Sequence, residues 1–188
     1  MGNCPPVLNT NRLRLRPLVA ADGPRVCQLA GVRELYETTL NIPHPYEPGM
    51  AEKWIEAVAK AFYEGRGVTL AMEERDSGLL IGAISLGIQS RHQHAELGYW
   101  VGVDYWNCGY CSEATRAMLD FGFRNLNMHR IFAHHIKENP ASGKVMQKAG
   151  MQQEGVLREH VQKDGVFHDL VQYGMVNPYK QDSEGGSP

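Results

Sequence analysis

Between Glu96 and Ala114 the chain passes from an alternating strand through a tight turn into an amphipathic helix. A turn of small residues that opens a helix leaves several backbone N–H groups unpaired at the positive end of the helix dipole. Such an end binds phosphate oxygens without needing a lysine. In the strand, Glu96, Gly98, Trp100 and Gly102 share one face, and Leu97, Tyr99, Val101 and Val103 share the other. Glycines beside an acid and an aromatic leave room for a ligand along the backbone. A bulge or close helix packing is the plainer reading of the same glycines.

The rest of the chain sets the frame for this passage. Leu13 and Leu15 alternate with Arg12, Arg14 and Arg16, which predicts a half-buried opening strand over 11–17. Ala20 to Ala30 reads as helical, and three prolines between Asn41 and Pro48 exclude regular helix there. Met50 to Tyr63 has apolar residues at helical spacing. Strands are predicted at Val68–Glu73, Leu80–Ile88, Ala95–Val103 and Arg130–Ile136. Helices follow at Ser112–Leu126 and Ala141–Ala149, the latter closed by Gly150. Met151–Gln162 and Val166–Val176 pair across Lys163-Asp164-Gly165 as a closing hairpin. This order predicts an α/β (α+β) mixed sheet with helices on both faces. It fits one domain over 1–180 and a polar, disordered tail over 181–188.

Composition narrows the partners. Nineteen basic and 21 acidic side chains give a net charge of -2, so no global field recruits nucleic acid or an anionic membrane. No apolar run approaches the ~18 residues of a membrane span. The start has no signal-peptide pattern, and Pro6 breaks the resemblance of Met1-Gly2 to a myristoylation site. Four cysteines without such a signal predict reduced thiols in a cytoplasm.

The run Glu96-Leu97-Gly98-Tyr99-Trp100, followed by Tyr105-Trp106-x-x-Gly109-Tyr110-x-x-Glu113-Ala114, resembles the acetyl-CoA signature of the GNAT superfamily. It is most similar to the branch that includes the N-terminal alanine/serine acetyltransferases of ribosomal proteins. Thr10-Asn11-Arg12-Leu13-Arg14-Leu15-Arg16, Asn139-Pro140-Ala141-Ser142 and Gly155-Val156-Leu157-Arg158-Glu159 agree in the family's order, so the resemblance spans roughly Asn9 to Tyr179. It implies a mostly antiparallel sheet of six to seven strands, splayed at the centre, with acetyl-CoA as co-substrate and no metal. The backbone of Trp100 and Val101 would pair with the pantetheine arm. The N–H groups of Cys108, Gly109, Tyr110, Cys111 and Ser112 would hold the pyrophosphate, and Asn139 would bond the cofactor arm. The chain departs from the wider family at Trp106, at Cys111, and at Met146, where many members carry a tyrosine acid.

Direct transfer to a primary amine needs a base for the amine and a proton for the leaving thiolate. Glu96 is the first candidate base, acting directly or through water. His134 is the second, because some relatives place a glutamate on this strand, five residues before the asparagine. Ser142 is the candidate proton donor in place of the tyrosine, or else the cap of the last helix. Tyr46, Trp54, Glu159 and His168 are candidate acceptor-wall residues, with packing the simpler role for Trp54. The resemblance favours a protein N-terminal amine as acceptor and leaves a small amine or an antibiotic open. A non-catalytic acyl-CoA-binding module is the reading of another class. The exposed hairpin offers a surface for a homodimer. Cys108-Gly109-Tyr110-Cys111 also has the spacing of a redox site, and with His92 and His94 it supplies four potential zinc ligands.

Overall fold

The computed structural model describes residues 4–179. The polar tail and the Met1-Gly2 start of the lipidation-like motif lie outside the described residues. One mixed sheet organises the chain. Its strands are β1 (Leu8–Asn9), β2 (Leu13–Pro17), β3 (Gly67–Glu74), β4 (Leu80–Gln89), β5 (His94–Val101), β6 (Arg130–Ile136), β7 (Gln152–Lys163) and β8 (Val166–Val176). They lie side by side in the order β1-β2-β3-β4-β5-β6-β8-β7. Every neighbouring pair is antiparallel except β5 and β6, which run parallel. The sheet has eight strands rather than six or seven because two residues at Leu8–Asn9 add a short edge that carries no periodic signal.

Five α-helices cover the two faces: α1 (Gly23–Ala30), α2 (Arg33–Thr38), α3 (Met50–Tyr63), α4 (Tyr110–Arg124) and α5 (Pro140–Lys148). The larger core joins β2–β6 to α4, with Leu13, Leu70, Leu86, Met118 and Ile131 fully buried. A smaller core on the opposite face packs Val26 and Leu29 of α1 and Ala51 of α3 against Ala71 and Leu80. The alternation at Leu13 and Leu15 serves the first core. The outward Arg14 and Arg16 pair with Glu73 across the strand boundary at 3.6 and 2.5 Å. The hairpin turns at Asp164 and Gly165, both at positive φ, as a two-residue connection requires.

The differences from the sequence expectation that bear on the site concern β5, α4 and α2. β5 stops at Val101, because Val103–Tyr105 forms a single 3-10 turn. α4 begins two residues early, at Tyr110, capped by Gly109 in the left-handed conformation (φ +81°). Helix α2 was not anticipated: six residues with one buried side chain, Leu35, are too short to show a helical period.

Candidate active site

The sheet opens where β5 and β6 part. The two strands pair over only three residues, ending at Glu96 opposite Phe132. Beyond that point the two strands no longer pair with each other, and register identifies which groups line the gap. Gly102 N–H donates to the Ile81 carbonyl at 2.9 Å, so antiparallel alternation bonds Trp100 to β4. The main-chain groups of Tyr99 and Val101 therefore turn toward β6. Of the two residues expected to pair with a pantetheine arm, Val101 faces the gap and Trp100 does not. Lys137 N–H donates to the Asp169 carbonyl at 3.0 Å, and the same alternation turns the backbone of His134 and Ile136 toward β5. An extended ligand thus meets two strand edges that can each accept it as an added strand. The Val101 carbonyl is already taken by the indole N–H of Trp106 at 3.0 Å, which holds the turn after β5 against its strand.

At the mouth of the gap stands the N-terminus of α4. Its first intrahelical bond runs from Glu113 N–H to the Gly109 carbonyl at 3.1 Å, so the N–H groups of Tyr110, Cys111 and Ser112 precede the ladder. Glu113 ties this end to the start of the chain. Its carboxylate accepts from Thr10 Oγ1 at 2.6 Å, from Arg12 N–H at 2.7 Å and from Arg12 Nε at 2.8 Å. Arg12 also donates to the Cys108 carbonyl at 2.9 Å and lies over the Tyr110 ring. Burial alone raises the Glu113 pKa, but these hydrogen bonds outweigh it and hold the carboxyl below its ordinary value. Two separate pieces of the sequence signature, 10–16 and 105–114, are thus one clasp.

Glu96 and His134, weighed separately as bases, meet at the splay. His134 Nδ1 lies 3.4 Å from Glu96 Oε1, with side-chain exposures of 28% and 49%, and the contact is an ion pair when the imidazole is protonated. On the other face of β5, the Tyr99 hydroxyl donates to the Ser142 carbonyl at 2.9 Å and lies 3.0 Å from Ser142 Oγ. Burial drives the Tyr99 phenol well above its usual pKa, and the bond to Ser142 offsets only part of that rise. Sequence reading missed this role for Tyr99. The signal was a tyrosine on the buried side of the strand, where a phenol needs a partner.

Ser142 is not the cap of α5. Asn139 is: its Oδ1 accepts from Ser142 N–H at 3.2 Å, and its Nδ2 donates to the Thr38 carbonyl at 3.0 Å. Both ends of the Asn139 amide are therefore engaged within the chain. Ser142, relieved of capping, turns its hydroxyl to Tyr99. Met146 is fully buried in the larger core.

Glu96, Tyr99, His134, Asn139, Ser142 and the first residues of α4 line one cavity of about 820 Å³, within the ~300–1,000 Å³ usual for ligand sites. Tyr46 and Trp54 line it as well, whereas Glu159 and His168 lie outside. Trp54 also packs on Trp100, with ring centroids 6.3 Å apart, so packing and wall roles coincide. The two rival motifs come apart. Burial pushes the Cys111 thiol up to about 12, the reverse of a reactive cysteine, and no disulfide joins it to Cys108. His92 and His94 sit at the start of β5, whereas both cysteines lie beyond its end. Among the described residues no cluster of three or more His, Cys, Asp or Glu could hold a metal.

A mixed sheet splayed between parallel strands, with a helix N-terminus at the mouth, is an arrangement that can take an extended ligand carrying phosphate. The chain belongs to the GNAT acetyltransferase family: the family described as "Acetyltransferase (GNAT) domain" matches residues 12–152. It is therefore an acetyl-CoA-dependent N-acetyltransferase. The chain is 30% identical over 174 residues to the uncharacterized N-acetyltransferase YoaA of Bacillus subtilis (strain 168), covering 92% of this chain and 98% of that one. It is 23% identical over 189 residues to the [ribosomal protein uS5]-alanine N-acetyltransferase of Escherichia coli (strain K12), covering 94% of each. The fold matches RimL, a ribosomal L7/L12 α-N-protein acetyltransferase solved in complex with coenzyme A. The TM-score is 0.84 at 18% identity, over 91% of this chain and 98% of that one. No described helix is long and apolar enough to cross a membrane.

Proposed function

We propose that the acceptor is the α-amino group of a protein or peptide N-terminus, and that Glu96, Ser142 and Tyr99 carry the proton transfers. The Glu96–His134 contact at the edge of the splay carries this reading. A carboxylate there can take the proton an amine sheds as its nitrogen bonds the acetyl carbon, directly or through one water. His134 orients the carboxylate and can share its proton. Acetyl-CoA supplies the acetyl thioester. The N–H groups at the start of α4 suit its pyrophosphate, and the gap-facing main chain of Tyr99 and His134, with the Val101 N–H, suits its amide arm.

Ser142 gives a proton to the thiolate released when the carbon–sulfur bond breaks. The single hydrogen of Tyr99 can serve either the Ser142 carbonyl or Ser142 Oγ. When it serves Oγ, the hydrogen of Ser142 is free to point into the cavity. Tyr99 thereby positions Ser142 and can resupply it. The four free cysteines suit a reducing compartment. Support for a protein acceptor comes from the relatives named for ribosomal-protein N-termini.

Glu96→Gln is the decisive variant. Turnover with an N-terminal peptide should fall ~10²–10⁴-fold while calorimetric acetyl-CoA affinity stays unchanged. Undiminished turnover would make Glu96 structural and move the base to His134. Turnover of small amines with none on any peptide would overturn the protein acceptor.

A further inference from the structure

On the α1–α3 side of the sheet the same cavity continues as a chamber. Its floor is made of small side chains from three adjoining strands: Thr69, Ala83, Ser85 and Gly98. The register aligns Thr69 with Ser85, Ser85 with Gly98 and Ala83 with Trp100, so all of them face the same side as Glu96. Above this floor stand Ile42, Tyr46, Met50, Trp54 and Trp100. Two features are decisive. The walls are apolar and aromatic, and Trp54 and Trp100 are half-buried against each other over a floor that leaves volume free. Charge is scarce and of the wrong sign for a polycation. Among the described residues that line the cavity Glu96 is the only carboxylate, alongside Lys53, Lys144 and Lys148.

We infer that this chamber selects an acceptor by a large apolar or aromatic group next to the reacting amine. The acceptor is then a peptide N-terminus beginning with a residue such as Phe or Met, rather than a small first residue or a polyamine. The inference rests on the protein-acceptor reading above and adds the identity of the first side chain. A Phe ring entering the chamber leaves water for aromatic contact. An Ala methyl leaves most of that volume unfilled. A second ammonium could rest on the indoles, but cation–π attraction falls short of the cost of desolvating a charge with no carboxylate beside it. Glu96 cannot serve there, since it faces the reacting nitrogen.

The test uses purified full-length protein, acetyl-CoA, and peptides identical except for a first residue of Phe, Met, Ala or Ser, with 2-phenylethylamine and spermidine alongside. The kcat/KM for Phe and Met peptides should exceed that for Ala and Ser by about 10- to 100-fold, with spermidine the poorest acceptor. Trp54→Ala should shrink the preference to within about threefold while acetyl-CoA affinity holds. Trp54→Leu, which keeps apolar volume, guards against a variant that fails to fold. Peptide turnover with a flat or Ala/Ser preference, or spermidine as the best acceptor, overturns the inference. If 2-phenylethylamine reacts and no peptide does, the chamber's selectivity stands and the protein acceptor falls. No turnover of any acceptor by protein that binds acetyl-CoA overturns both.

Discussion

The two halves of the active-site cavity are built by different means. The half beside α4 is a clasp of hydrogen bonds: Thr10 and Arg12 grip the Glu113 carboxylate, and the Trp106 indole grips the end of β5. The half beside α1 and α3 is a set of loops and aromatic rings. Its outer part is held mainly by Lys163, at the tip of the hairpin, which donates to the carbonyls of Tyr36 and Thr39 and lies over the Tyr36 ring. The Tyr36 hydroxyl returns a bond to Asp164 at 2.5 Å. In the proposed function the cofactor that the family shares meets the hydrogen-bonded frame. A group that varies with the acceptor is met by loops, which can change without disturbing the sheet.

That contrast makes separable predictions. The largest stability effect should come from Glu113→Ala, which removes the acceptor shared by Thr10 Oγ1, Arg12 N–H and Arg12 Nε. We expect a loss of ~3 kcal/mol, which for a chain of this length lowers Tm by roughly 10 °C in a calorimetric melt. The clasp also sets a pH dependence. The folded pKa of Glu113 lies below its ordinary value near 4.5, so its contribution is complete above that value. It is lost as pH falls through the depressed folded value, and the slope of stability against pH in that acid window should flatten in the variant.

Tyr99→Phe sharpens the comparison from the centre of the cavity. It removes the bond to Ser142 yet keeps the ring, and kcat should fall by roughly tenfold with little change in either KM. An unchanged kcat would reduce Tyr99 to packing. Gly109→Ala places a side chain at φ +81°, a strain of ~1–2 kcal/mol. It should raise the KM for acetyl-CoA by about tenfold and leave acceptor preference alone. The smallest effect belongs to Lys163→Met, which keeps the contact with Tyr36 and loses the carbonyl bonds. Acceptor KM should rise about threefold, from under ~1 kcal/mol of lost interaction, at constant acetyl-CoA affinity. A shift in acetyl-CoA affinity here would break the separation of the two halves.

The cofactor half was far more legible than the acceptor half. Glu96, the turn after β5 and the start of α4 lie within one continuous stretch, where strand alternation and helix-end chemistry are local properties. The same reading missed α2, because one and a half turns with a single buried leucine have no period. It assigned Trp100 a gap-facing backbone, because which amides point to which neighbour depends on pairing register. It left Ser142 between capping and catalysis, a choice that needed the position of Asn139 over the end of α2. It set Glu159 and His168 beside Tyr46 and Trp54, although only the last two reach the cavity.

What the sequence determined by itself was the order of the longer elements, the side each strand residue faces, and the helix that opens on a tight turn after β5. All of these follow from periodicities of two and 3.6 residues within short windows. Only the tertiary structure decided that Glu113 reaches Thr10 and Arg12 across some hundred residues, that Glu96 meets His134, that Tyr99 backs Ser142, and that small residues from three strands open an aromatic chamber. Each is a contact between segments far apart in the chain. Its geometry follows from sheet register and from where β5 and β6 diverge, and neither is encoded within a local window.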